Sequence, residues 1–95
     1  MEIGKSDMIL SIAGRDKGRY FFVLDTDETY VYIADGKGRR VEAPKRKKRR
    51  HVQMIAQTES RVAEKIRSGE KVLNSELRRE LAVFGQKIHS QNQGG

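Results

Sequence analysis

The chain has no cysteine, a single proline and no long apolar run. Without cysteine there are no disulfides, thiolate metal sites or cysteine nucleophiles, and a reduced, cytoplasmic setting fits. A membrane-spanning helix needs about 18 consecutive apolar residues, and every apolar stretch here is far shorter. A secretory leader would start basic and carry a longer apolar centre; here Glu2 and Asp7 precede the short MILSIA stretch. Glu2 also stands where an N-myristoylation signal needs glycine. The expectation is a soluble cytoplasmic protein with no membrane partner.

Catalytic constellations are missing as well. His51 and His89 lie far apart, and neither has a His or Cys at metal-ligand spacing. Asp25, Asp27 and Glu28 cluster, but without the glycine and distal glutamate of a calcium loop they read as a solvated hairpin turn. No serine sits in a G-x-S-x-G elbow. The expectation is a protein that is not an enzyme and holds no metal or cofactor.

What is present is charge, and its placement is informative. The 95 residues carry 20 Lys+Arg against 13 Asp+Glu, a net +7. Residues 39–50 (RRVEAPKRKKRR) hold eight cations and Glu42, so they too sum to +7, and the remaining twelve cations and twelve carboxylates cancel. A neutral protein with one concentrated stripe points to a polyanionic partner more strongly than a generally basic one does.

Apolar content is 36%, enough for the small core of a single domain. Short runs at 8–13 (MILSIA), 19–25 (RYFFVLD) and 29–35 (TYVYIAD) are dense in aromatic and β-branched residues and bounded by GRDKG, DTDE and DGKG turns. A fourth strand is expected over 39–43, ended by Pro44, and a fifth over 51–56. The six consecutive cations of 45–50 would then occupy a mobile loop between two strands. Five short strands, apolar on both faces, predict a small closed β-barrel.

After Gln57 the period changes. TESRVAEKIRSG offers Thr58 as N-cap, Val62 and Ile66 one turn apart, and Gly69 as a stop. NSELRRELAVFGQKI places Leu77, Leu81, Phe84 and Ile88 on one helical face, capped by Asn74 or Ser75, with Gly85 weakening the last turn by about 1 kcal/mol. The fold class is therefore mainly β with C-terminal helices: a barrel over 1–57, a helical extension over 58–89, and a disordered polar tail over 90–95. The apolar stripe is expected to dock on the barrel rather than form a dimer seam, which makes the unbound protein a monomer.

Two loops repeat one chemistry. GRDKGR combines Gly14 and Gly18 with Arg15, Lys17 and Arg19; DGKGRR combines Gly36 and Gly38 with Lys37, Arg39 and Arg40. Glycines let a loop approach another backbone closely, and the cations can then clasp phosphate oxygens. Each loop alone reads equally as an ordinary glycine turn. In an antiparallel meander, alternate turns fall at the same end of the sheet, so both loops and the 45–50 run (Lys45, Arg46, Lys47, Lys48, Arg49, Arg50) with His51 are expected to converge. Tyr30 and Tyr32 share a face and could stack on bases, although cross-strand packing accounts for them as well.

These residues resemble a known family. SIAGRDKGRYFFVLD followed by TYVYIADGKGRRVEAPKRKKRRHVQMI is similar to KOW-motif proteins: the large-subunit ribosomal proteins of archaeal and eukaryotic type, and above all the short bacterial KOW domain-containing RNA-binding proteins. The resemblance covers about residues 8–57. It implies an SH3-like barrel that binds RNA through its loops, with Gly14, Arg15, Lys17, Gly18 and Arg19 in the first RNA-facing loop and Arg39 to His51 in the basic stretch. The leading expectation is a non-catalytic, ribosomal protein-like module on structured RNA such as ribosomal RNA, with the ribosomal large subunit as an expected partner. The alternative is a protein–protein adaptor of transcription or translation in which the basic run only steers association.

Overall fold

Strands form where apolar side chains alternate between two destinations. The protein is described from a computed structural model that covers residues 2–93, with side chains described through Lys87. β1 (Met8–Ser11), β2 (Tyr20–Thr26), β3 (Tyr30–Ala34), β4 (Lys45–Lys48) and β5 (Val52–Ala56) are followed by α1 (Arg61–Ser68) and α2 (Asn74–Gln93). The strands make one sheet in the order β4-β3-β2-β1-β5, and every neighbouring pair is antiparallel. Mainly β with C-terminal helices is thus the architecture.

The fourth strand is not where the sequence suggests. Residues 39–43 are spent on local turns: the Asp35 carboxylate accepts from the Lys37 and Arg39 amides, each at 2.9 Å. The amides of Asp35 and Gly36 both donate to the Arg39 carbonyl, and that of Ala43 to the Arg40 carbonyl. Pro44 precedes a strand instead of ending one, and its missing amide needs no ladder partner there. The strand is the basic run itself. Lys45, Lys47 and Lys48 pair with Ile33, Val31 and Tyr30, and Arg46 with Tyr32. Four of the six cations therefore sit on an ordered edge strand, and Arg49 and Arg50 in the 3-10 turn that follows it, not on a mobile loop.

β4 and β5 are opposite edges of the sheet, yet only a 3-10 turn, Arg49–His51, separates them. Five flat strands would hold their edges about 19 Å apart, whereas the four residue steps from Lys48 to Val52 span at most about 14 Å. The sheet must curl. Twist accumulated over four strand pairs reaches about 80–100°, which lets the end of β4 feed β5 around a corner. Register shifts between Val23 and Asp25 and between Met8 and Ile9 add local bends.

The curl makes the inner core. Ile9, Phe21, Val23, Val31, Ile33 and Val52 are buried together, with Ile3 from outside the sheet packed against them. The opposite face is covered by the helices: Met8, Phe22 and Ala34 meet Val62, Ile66 and Leu77, flanked by Leu24, Leu81 and Phe84. Tyr20 closes this side with an edge-on ring contact to Phe84 at 5.7 Å. The Leu77, Leu81, Phe84 stripe is docked as expected, while the Ile88 and His89 side chains lie outside the described residues.

Helix ends differ in detail from expectation. Ser60, not Thr58, caps α1 by accepting the Ala63 amide at 3.1 Å, and Gly69 stops it at φ 79°. Thr58 is left with a buried hydroxyl that has no hydrogen-bond partner among the described residues. Neither Asn74 nor Ser75 caps α2. The carboxylate of Glu76 reaches back to the Leu73 amide at 3.0 Å, half of a capping box, and ion-pairs with Lys65 of α1 at 2.8 Å. α2 also continues through the polar stretch to Gln93, past the residue-90 boundary expected for a disordered tail; residues 94 and 95 lie outside the described residues.

Because Leu77 is fully buried between helix and sheet, Leu77→Ala is expected to cost about 2–5 kcal/mol. Denaturant unfolding followed by circular dichroism should show one shifted transition. An unshifted midpoint, or helix loss well before sheet loss, would mean that α2 lies outside the cooperative unit.

Candidate nucleic-acid interface

The 12–19 and 35–44 connections leave β1 and β3 at the same end of the sheet. They are held together by side chains, not only by parity. The Arg39 guanidinium donates through Nε and Nη2 to one Asp16 carboxylate oxygen at 3.3 and 3.0 Å. Asp16 is nearly buried in this pair, with 8% side-chain exposure. Arg39 is thereby committed to structure, and the two loops form one surface. Around them Arg15, Lys17, Arg19, Lys37 and Arg40 are exposed, and none of them makes an ion pair among the described residues. Gly14 and Gly18 take positive φ (79° and 90°), the tight backbone that only glycine adopts readily.

The basic run divides by strand alternation. Lys45 and Lys47 belong to one face of β4, Arg46 and Lys48 to the other. Lys47 is buried, and its ammonium donates to the Ala13 carbonyl at 2.6 Å, fixing the base of the first glycine loop. Arg49 is also spent internally: Nε donates to the Asp27 carbonyl at 2.9 Å and Nη1 to the Ile3 carbonyl at 2.8 Å. Lys45 and Lys48 are half-buried, Arg46 and Arg50 exposed, and His51 half-buried, with its carbonyl accepting the Ile12 amide. Expected contact residues therefore fall into two groups, and Arg39, Lys47 and Arg49 belong to the scaffold.

Tyr30 and Tyr32 are both engaged. The Arg46 guanidinium lies 4.4 Å from the Tyr30 ring centroid, a cation–π stack that presents a flat charged face. The Tyr32 hydroxyl donates to Asp27 at 3.0 Å, which raises its pKa. Asp27 organises the β2–β3 turn by accepting the Tyr30 and Thr29 amides at 2.7 and 2.9 Å, and these bonds hold its carboxyl below the usual range. This acidic turn lies at the opposite end of the sheet from the glycine loops.

The loop end has a third contributor that the sequence did not single out. Asn74, in the first turn of α2, accepts the Val41 amide at 2.9 Å and donates to Glu42, which depresses the Glu42 pKa. Arg78 donates to the Gly36 carbonyl at 2.6 Å. A Cβ on Gly36, which sits at φ 77°, would overlap the Asn74 carbonyl. The α2 N-terminus thus moulds the second glycine loop. Asp16 did carry a signal, as the lone acid among the cations of GRDKGR; Asn74 and Arg78 carried none.

No protein-family model matches the chain, and no curated protein sequence does either. Among the described residues no helix is long and apolar enough to cross a membrane, and no cluster of His, Asp or Glu is arranged to hold a metal ion.

Two outcomes follow for stability. Lys47→Met removes the charged donor to the Ala13 carbonyl, which keeps only the longer bond from the Ser11 hydroxyl at 3.1 Å, and is expected to cost about 1–3 kcal/mol, measured by chemical denaturation. An unchanged midpoint would show that the buried ammonium is not structural. For pH, Asp27, Glu42 and Glu76 all have depressed folded pKa values. Their stabilisation is complete above the unfolded carboxylate values and is lost as pH falls through the lower folded ones. The melting temperature should therefore drop on acidification below about pH 4, and Asp27→Ala should flatten that drop.

Proposed function

We propose that the protein is a non-catalytic RNA-binding module, built on an SH3-like barrel of the KOW kind and acting in the cytoplasm on structured RNA, ribosomal RNA foremost. The observation that carries this reading is the convergence of unpaired cations. Arg15, Lys17, Arg19, Lys37 and Arg40 surround two tied loops, and Lys45, Arg46, Lys48 and Arg50 extend the positive surface along the neighbouring edge strand. Side chains of this kind bind phosphates and set register without reading bases, as suits RNA recognised by shape. The strand order, the short 3-10 link between the edge strands and the self-covered inner core support the barrel assignment.

The adaptor alternative loses its best surface, because Leu77, Leu81 and Phe84 are packed on the sheet. The same packing supports a monomer in the absence of RNA.

Binding to a structured RNA should weaken steeply with salt, each neutralised phosphate adding roughly 0.7–0.9 to the log–log slope. Replacing Arg15, Lys17, Lys45, Arg46, Lys48 and Arg50 by glutamine should lower affinity and flatten that slope. If both survive the replacement, the surface is not the contact. In lysate, sedimentation with ribosomal particles that is lost at high salt would mark an associated factor, and salt-resistant sedimentation an integral component.

A further inference from the structure

A groove separates the first glycine loop and the 35–38 loop from α2, and its helical wall lies beyond the segment that resembles KOW proteins. Arg19, Lys37 and Arg78 line it together with Tyr20, Leu81 and Ala82. Two of its polar groups, Arg78 and Asp35, are fixed by hydrogen bonds. Arg78 is held by the Gly36 carbonyl through one N–H, leaving other guanidinium donors for a ligand. Arg19 lies over Gly38, where its Nη1 would be 3.6 Å from an added Cβ. Tyr20 is fixed edge-on against Phe84. Asp35 also lines the groove, and its Oδ1 already accepts two backbone amides, so Oδ2 remains as an acceptor.

This lining fits neither a bare phosphate nor an apolar peptide. A phosphate would gain nothing from Leu81 and Ala82 and would be repelled by Asp35. An apolar side chain would leave three cations unanswered. A nucleotide has the matching parts: an anionic phosphate for Arg19, Lys37 and Arg78, a flat apolar base for the Tyr20, Leu81 and Ala82 lining, and a base N–H for the free Asp35 oxygen. In a paired helix the base faces and edges are already used, whereas a bulged or looped-out base offers them all.

We infer that the groove between the glycine loops and α2 receives an unpaired nucleotide of the bound RNA, so that α2 is part of the recognition surface. The inference rests on the RNA reading above and adds a preference for RNA with an extruded base.

The test compares a fluorescein-labelled RNA hairpin carrying one bulged nucleotide with the same hairpin lacking it, by anisotropy at low salt. The wild type should favour the bulged hairpin by about tenfold, as expected for one stacked base. Ala82 is exposed on α2, so Ala82→Gln fills the groove without changing charge or helix propensity greatly; it should abolish the preference while leaving the paired hairpin's affinity little changed. In NMR spectra of the wild type, the Ala82 methyl should shift with the bulged hairpin and not with the paired one. Equal affinity for the two hairpins, or a preference that survives Ala82→Gln, overturns the inference and leaves the RNA reading standing. If neither hairpin binds, the RNA reading itself fails and the inference falls with it.

Discussion

A three-residue link between the two edge strands of the sheet sets the shape of the molecule. Arg49 to His51 must carry the chain from β4 to β5, and no flat sheet allows so short a path. Backbone bonds fix the link on both sides: the Arg49 amide donates to the Thr29 carbonyl just before β3, and the His51 carbonyl accepts the Ile12 amide just past β1. The Arg49 side chain adds bonds to the β2–β3 turn and to the N-terminal segment. The curl that results buries Ile9, Phe21, Val23, Val31, Ile33 and Val52 together, and among the described residues neither helix contributes a side chain to this cluster. It also leaves the outer face free for α1 and α2.

That geometry separates two jobs that a count of charges merges. In the run KRKKRR every residue contributes equally to net charge, but a strand sends successive side chains to opposite faces. Lys47 goes inward to Ala13, Arg49 braces the corner, and Arg46 stacks on Tyr30 in the open. The exposed remainder serves twice. Cations on an edge strand discourage pairing with another chain's strand, and they prolong the positive surface of the glycine loops. Protection of a sheet edge and extension of a positive surface ask for the same residues here.

Much of this was legible in the sequence where hydrophobic periodicity carried the signal. The spacing of Leu77, Leu81 and Phe84 gave the buried side of α2, whereas the alternation along β2 left its two faces unassigned, because apolar side chains fill both of them. β4 was missed because lysine and arginine have no strand signature; the strand exists through pairing with β3 and the tertiary seat of Lys47. Ser60 rather than Thr58 caps α1, since capping depends on which hydroxyl reaches an amide. The meeting of the two glycine loops followed from strand parity. The Asp16–Arg39 pair that locks them joins residues 23 apart in sequence, beyond any local pattern.

The helices also shape the loop end. Gly36 has a positive φ and no space for a Cβ against Asn74, while Arg78 and Asn74 hold the Gly36 carbonyl and the Val41 amide. The second glycine loop is thus shaped before any ligand arrives, and Arg39 transmits that shape to the first loop through Asp16. A surface ordered in advance avoids the entropic cost of immobilising loops on association. Two glycine-rich loops would ordinarily be the most mobile part of such a fold. Here the helix seated on one of them, and the ion pair joining both, give a small domain a rigid positive end. The core that holds α2 in place is then also what keeps the cations in position.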